Sequence, residues 1–420
     1  MKEKRESAAR ILEANRAQMR FVPMDLEGLL AQDHQARAVW AFVERFDLSE
    51  FHARIQSREG SAGRPAIDPR ILLGLWILAT ADGVGAAREI ERLCSQHLAY
   101  QWMCGGVHVN HHTLSDFRNL SSDLLNGLLT QTVAVLIDQG LVEMKRVAQD
   151  GMKVRASAGA SSFRTRKRLK ELKKIVGEQV EALAQEMESD AGAGARREKS
   201  SRQREAERRD QKITLALEEM TEAESRKRSN NGKKKTEARV STTDPAARVM
   251  KMPDGGFRPA YNVHLTTTTD SRVVVAVEVN SEGTDLQAMV PLADQVEERF
   301  KVTPQEWLAD GGCSSLSNID EMNQRQCQVF SPLRPRRNSS NKLDQPRPTD
   351  SEAVRKWRQR MTSDAGKEIY KQRSSTAEWI NAQFRNHGLA QFLVRGARKA
   401  LAVVLIHAIT NNMQRSFALA

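Results

Sequence analysis

The sequence predicts an α/β protein with a central sheet, preceded by a wholly helical region and interrupted by a charged helical hairpin. Three observations lead there. Residues 1–140 read as helices joined by short turns. Residues 161–240 carry 22 Lys+Arg and 15 Asp+Glu, with apolar side chains recurring at helical steps. From 241 onward short β-type runs alternate with helical ones, the pattern of a layered α/β core. A chain of 420 residues has room for about two to four such units.

Composition narrows the function classes. The 65 Lys+Arg against 53 Asp+Glu leave a formal charge of +12 and a pI near 9.7. That surplus points to a polyanionic partner, most often nucleic acid. Aromatic residues make up 5% of the chain, so the core must rest on aliphatic side chains. The apolar runs 71–79 and 400–409 are too short to span a bilayer, which needs about 20 residues. No hydrophobic signal region follows Met1, so the expected location is the cytoplasm, with nucleoid association when bound to DNA. Cys94, Cys104, Cys313 and Cys327 form no C-x-x-C pair and read as reduced. His108, His111 and His112 near Cys104 lack the spacing of a zinc finger and read as loop.

In the N-terminal region Asp68-Pro69 is a helix start, a cap followed by proline at the first helical position. It opens a buried helix over 70–80. A second helix is expected over 86–100, a third from a capping box at Thr113-Leu-Ser-Asp116, and a fourth over 123–140. Short Gly-containing turns between helices in a basic protein fit a helix-turn-helix DNA reader or an ordinary helical bundle.

Residues 141–148 read as a strand that stops at Gln149-Asp150-Gly151. Helices over 164–189 and 201–225 then form an antiparallel hairpin, and its charges are a solvated face or a phosphate-contacting surface. Strands resume at 248–252 and 257–267 around the turn Pro253-Asp-Gly-Gly256, and at 271–279. A helix over 286–299, strands at 306–309 and 327–332, and helices over 352–361, 374–385 and 398–416 complete the chain. Residues 333–375 hold 12 Lys+Arg against 5 Asp+Glu and read as a basic, poorly structured segment leading into a helix.

Asp150 and Asp310 share one design: each ends an apolar run and precedes glycine. Either alone is a common turn. With Glu378 on a late helix they make three carboxylates, the hard oxygen donors that two Mg2+ ions take for in-line phosphoryl transfer.

The segments Asp150-Gly-Met-Lys-Val-Arg-Ala-Ser-Ala158, Arg248 to Asn262 and Ala309-Asp-Gly-Gly312 resemble the DDE transposases of bacterial insertion sequences, in the group related to IS1182 and IS5/IS4. Tyr370-x2-Arg373-x4-Glu378 is similar to the family's Tyr/Arg/Glu signature, and Gly388 to Gly396 to the segment that follows it. The block from Gly63-Arg-Pro65 to Leu114-Ser-Asp-Phe-Arg118 resembles its helical DNA-binding region. The resemblance implies an RNase H-like catalytic core with a mixed sheet, in which Asp150, Asp310 and Glu378 bind two Mg2+ ions, with Mn2+ as a substitute. It implies that Tyr370 and Arg373 contact DNA near the cleaved phosphate. Packing for Tyr370 and a surface ion pair for Arg373 are the plainer alternatives.

Two departures from the pattern stand out. Arg385 replaces the lysine common seven positions after the glutamate, and Met152 stands where a small hydroxyl residue is common. Lys153 and Arg155 are candidate DNA-backbone contacts, and Trp379 is a base-stacking or core residue. The resulting expectation is a helical DNA-binding domain over 1–140, a catalytic core over 141–160 and 241–420, and a basic insertion over 161–240. The activity implied is metal-dependent cleavage and strand transfer at terminal inverted repeats of double-stranded DNA, by a homodimer or larger synaptic complex. A catalytically inactive end-binding protein and a plain nuclease are the alternatives.

Overall fold

The computed structural model describes residues 25–58, 60, 64–120, 122–189, 193–229, 237–333 and 347–420. Gly63 of the Gly-Arg-Pro motif and 334–346 of the basic segment lie outside them. The chain opens with α1 (Gln35–Val43), α2 (Ser49–Ala53), α3 (Pro69–Ala81), α4 (Ala87–Gln96), α5 (Leu98–Cys104), α6 (His111–Leu120) and α7 (Ser122–Asp138). Asp68 caps α3 as expected, its side chain accepting from the Arg70 amide with Pro69 next in line. Two local readings need correction. The helix expected over 86–100 is broken at His97, whose extended backbone (φ −119°, ψ 127°) separates α4 from α5. Thr113 does not open α6; Asn110 does, its Oδ1 accepting from the Thr113 amide at 2.9 Å.

The sheet is built from β1 (Arg146–Arg155) and later strands. Between them run the short pair β2 (Phe163–Arg164) and β3 (Val240–Ser241), flanking the hairpin α8 (Arg166–Ser189) and α9 (Ala193–Ser229). The hairpin has its own core, in which Leu169 and Val176 pack with Ile213, Ala216 and Met220. Then follow β4 (Arg248–Lys251), β5 (Phe257–Thr268), β6 (Val274–Asn280), α10 (Met289–Phe300), β7 (Glu306–Ala309), α11 (Leu316–Gln324), β8 (Gln328–Phe330), α12 (Glu352–Thr362), α13 (Asp364–Asn386) and α14 (Ala397–Leu419).

In the sheet, β4 and β6 pair with one edge of β5; the order continues β5-β1-β7-β8. β1 runs antiparallel to β5 but parallel to β7, and β7 is parallel to β8. The parallel partners are reached through α10 and α11, as parallel pairing demands a crossover. Both faces are covered. α13 crosses β1, β5, β7 and β8, while α10, α14 and α7 pack on β6. β5 is accordingly buried from Pro259 to Thr268, polar residues included.

The C-terminal α14 is buried along most of its length and packs against α3, α6 and α7 as well as β6. Its apolar residues, those of the N-terminal helices and those of the sheet form one continuous core. Gly388 fixes a close approach here. At φ +87° its Cα faces the Gly83 carbonyl, which a Cβ would meet at 2.7 Å. Among the described residues no single helix is long and apolar enough to cross a membrane.

Candidate active site

Asp150 does not end its strand. β1 continues five residues beyond it, paired throughout with β5, and what stops at this level is the parallel partner β7. Gln149 is the register partner of Ala309, so Asp150 and Asp310, the next residue of each, stand abreast across neighbouring parallel strands. Such neighbours are about 4.8 Å apart. Asp150 is thus held inside a sheet, with a free flank where β7 has left. Asp310 is exposed in the turn that follows β7.

α13 supplies the other side. Ser363 caps its start by accepting from the Gly366 amide at 3.0 Å. The helix therefore begins ten residues earlier than the expected 374, and it carries Tyr370, Arg373, Glu378 and Arg385 together. Arg373 Nη2 donates to Asp150 Oδ1 at 2.6 Å, and Asn381 Nδ2 donates to Asp150 Oδ2 at 2.7 Å. Side-chain exposure of the Arg373–Asp150 pair is 17% and 19%.

Burial pushes the Asp150 carboxyl above its ordinary range, and the Arg373 charge and the hydrogen bonds from Gly151 and Asn381 only partly counter it; Asp310 adds to the upward push. Burial works against the Arg373 charge, yet Asp150, Tyr370 and Asp310 hold the guanidinium above its ordinary value. Burial raises the half-buried Tyr370 hydroxyl, and the neighbouring Arg373 charge partly counters it. Buried Cys313, three residues after Asp310, is pushed up to about 12 by burial and by the charges of Asp285, Asp150 and Asp310. The site carries more acid than its single guanidinium offsets.

Gly151 has a steric reason. A Cβ there would meet Asp285 Oδ1 and His264 Nδ1 at 3.1 Å each. Asp285, in the loop between β6 and α10, accepts from Asn262 Nδ2 at 2.6 Å. His264 is fully buried opposite Gly151, and burial lowers it to about 4.

Glu378 is exposed on α13, five residues after Arg373 and three before Asn381. Helical geometry sets it roughly 60° around from Asn381, on the rim of the face that holds Asp150. Arg385, seven residues on, shares that rim. Among the described residues no three His, Cys, Asp or Glu side chains converge as a metal-holding group. The structure brings Asp150, Asp310, Tyr370 and Arg373 together and leaves Glu378 at the margin.

Strand side chains alternate, so Lys153 and Arg155 leave β1 on the face opposite Asp150. Lys153 donates to the Lys251 carbonyl at 3.1 Å and, with Arg385, Asn262 and Asp285, lines a cavity of about 310 Å³. Arg155 pairs through its backbone with the 390–392 segment. Trp379 is already engaged by guanidinium groups, Arg272 at 5.1 Å and Arg415 at 5.7 Å from its ring. Three participants escaped the sequence reading. Asn381 could have been found as the residue one turn after Glu378 on the same helix. Asn262 ends the segment from Arg248 that resembles the family, whereas Asp285 carries no local signal, and only the fold joins them.

Two family profiles match. "Transposase domain (DUF772)" covers residues 24–120, and "Transposase DDE domain" covers 235–410. The chain belongs to the DDE transposases of insertion sequences. The DDE profile contains Asp310, Tyr370, Arg373, Glu378 and Arg385, whereas Asp150 precedes it, on the far side of the α8–α9 hairpin. No curated protein and no solved structure matches the chain.

The DDE family acts on DNA and uses divalent metal ions. The acid surplus and the abreast carboxylates of Asp150 and Asp310 fit a hard divalent cation. The Asp150 carboxylate has about four lone-pair sites, more than its N–H donors Arg373, Asn381 and Gly151 fill.

Proposed function

We propose that this transposase binds the terminal inverted repeats of its own element, cleaves phosphodiester bonds there, and joins the freed 3′-OH to target DNA. The observation that carries this reading is Asp150 and Asp310 standing abreast, with Asp150 gripped by the helix that also bears Glu378. The sheet order, with β1 flanked by antiparallel β5 and parallel β7 and β8, supports an RNase H-like core interrupted by the hairpin. Residues 1–140 are the DNA-binding unit of this proposal, and two copies at least are needed to hold two ends. The protein works in the cytoplasm, on nucleoid DNA.

Asp150, Asp310 and Glu378 would hold the metal ions. Bound Mg2+ supplies Lewis-acid stabilisation of the attacking and leaving oxygens. The chain's own residues do the positioning. Asn381 and Arg373 fix the carboxylate plane of Asp150. Arg373 presents a planar fork suited to a phosphate as well as a carboxylate, with Tyr370 bracing it. The packing that buries Asp150 lowers the local dielectric around the scissile phosphate.

The marginal position of Glu378 gives the inactive, end-binding reading its one support. A cleavage assay separates the two. A labelled duplex bearing the terminal repeat is incubated with Mg2+, comparing wild type with Asp310→Asn. Nicking at the repeat boundary by wild type and loss of at least about 10³-fold in the variant is the expected result. Tight binding without nicking by either protein would establish the end-binding reading instead.

A further inference from the structure

The α8–α9 hairpin handles its charges in two ways. Over most of its length cations are matched with acids: Lys173 with Asp210 at 2.6 Å, Arg166 with Glu224 at 2.7 Å, Arg248 with Glu219 at 2.6 Å, and Arg226 with Glu282 at 2.9 Å. One face departs from that rule. Arg204, Arg208 and Lys212 recur every four residues along α9, which stacks them on a single stripe, and none forms an ion pair with a described residue.

That stripe lines a groove of about 920 Å³ together with Arg164 and Arg168 from the start of the hairpin and Arg395 from the segment before α14. Arg164 donates to the Phe163 carbonyl at 3.1 Å, Arg204 to the Ser200 carbonyl at 3.0 Å and Arg395 to the Ser157 carbonyl at 3.3 Å. These backbone anchors fix the guanidinium groups and leave their charge uncompensated. Glu205 is the single carboxylate among the described lining residues, and the Arg168–Glu171 contact of 2.9 Å is the single ion pair made by these six cations with a described residue. Like charges gathered around one groove repel, so the arrangement calls for an anion to occupy it.

We infer that this groove seats the phosphate backbone of duplex DNA, as a second contact separate from the paired carboxylates. Three features select that ligand. The stripe repeats every ~6 Å over ~12 Å, at 1.5 Å rise per residue, long enough to follow several phosphates of one strand at ~3.4 Å axial spacing. Thr243 adds a hydroxyl to the lining, while the Thr242 hydroxyl donates to the Ser162 carbonyl at 3.3 Å. Among the described residues no aromatic side chain lines the groove, which gives no stacking platform of the kind that recognises single strands. Its place in the fold suits the same duplex. β1 runs from Asp150 to Arg155 over about 17 Å at ~3.4 Å per residue, Arg155 pairs with Gln391, and Arg395 follows four residues later. A duplex turn of ~34 Å can bridge carboxylates and groove. The inference rests on the DNA reading above and extends it to a surface that holds none of the three acidic residues.

The test is salt-dependent binding of the full-length protein to a random-sequence duplex of roughly 40 base pairs, about four turns. For Arg204→Ala/Arg208→Ala/Lys212→Ala the slope of log K against log salt should shrink by about 2.7, at ~0.9 for each phosphate left without its cation, with the thermal melt unchanged. The charge-retaining Arg204→Lys/Arg208→Lys variant should keep the wild-type slope. A steep wild-type slope that the triple variant leaves intact overturns the groove and spares the transposase reading. A slope reduced only on single-stranded probes overturns the duplex assignment. A wild type that binds duplex without salt dependence overturns the groove and the DNA reading together.

Discussion

The carboxylate site and the basic groove each gather like charges, and they treat them oppositely. At the site, Asp150 has a donor on each oxygen before any substrate arrives, from Arg373 at 2.6 Å and Asn381 at 2.7 Å. In the groove, Arg208 and Lys212 on α9 form no ion pair with a described residue. Burial explains the difference. A carboxylate packed between a sheet and a helix must be hydrogen-bonded or give up its charge, because desolvation without compensation costs several kcal/mol. Exposed cations on a long helix are solvated at little cost and can wait for a partner. The lesson is that the site is organised by the fold, whereas the groove is organised by its ligand.

Arg373→Ala strikes that contrast hardest. It should leave Asp150 buried beside Asp310 without a counter-charge, destabilising the protein by about 3 kcal/mol. The carboxyl, already raised by burial, should rise further and hold its proton. Urea unfolding at neutral pH measures the loss. Arg373→Lys keeps the charge without the fork and should recover about half of it. A loss below about 0.5 kcal/mol, within the ~0–1 kcal/mol range of surface pairs, would show that the pair behaves as an exposed one and would break the contrast.

How much of this was legible depends on the range of the signal. The strands at Glu306–Ala309 and around Pro253-Asp-Gly-Gly256, and the cap at Asp68-Pro69, are written in adjacent residues, and the fold repeats them. The first helix of the hairpin was legible from its periodicity, whereas the second begins at Ala193, eight residues before the expected 201. The interior position of Asp150 was not, because Asp-Gly reads as a turn; pairing with Leu265 and His264, more than a hundred residues away, keeps it extended. The full length of α13 was hidden by its basic, serine-rich start, and the break at His97 by an unbroken amphipathic pattern. His264 and Asp285 crowd Gly151 only because the fold brings β5 and the loop after β6 to it. Family resemblance supplied the acidic triad, and the structure adds which members lie together.

A second measurement asks what fixes α13 over Asp150. His407 on α14 is buried, with Nδ1 2.9 Å from the Val403 carbonyl and Nε2 3.2 Å from the carbonyl of His387, the residue that ends α13. Burial lowers it from 6.5 to about 4, against the pull of the two carbonyls. Between those values the unfolded chain binds a proton that the folded protein refuses, so stability falls as pH drops through 6.5 toward 4. The contribution is about 2 kcal/mol between pH 7 and pH 5. Urea unfolding at both pH values should show the fall, and His407→Leu should lack that share of it. Equal pH dependence in both proteins would free His407 from any part in anchoring the helix.

Asn381→Ala gives the smallest effect and the sharpest one. The amide donates to Asp150 Oδ2, while its own Oδ1 is buried without a protein partner. A residue present for packing alone would not bury an unmatched acceptor, since each such atom costs about 1–3 kcal/mol. Removing the side chain deletes both the hydrogen bond to the carboxylate and that unmatched acceptor, so the two terms oppose. Stability should fall by only about 1 kcal/mol. Cleavage should fall far more, by about 10–100-fold, because a reacting carboxylate loses the donor that orients it while the chain remains folded. Asn381→Gln, which keeps the amide but displaces it, should restore stability without restoring cleavage. If cleavage and stability instead fell in proportion across both variants, Asn381 would be part of the packing under α13, and Arg373 alone would orient Asp150.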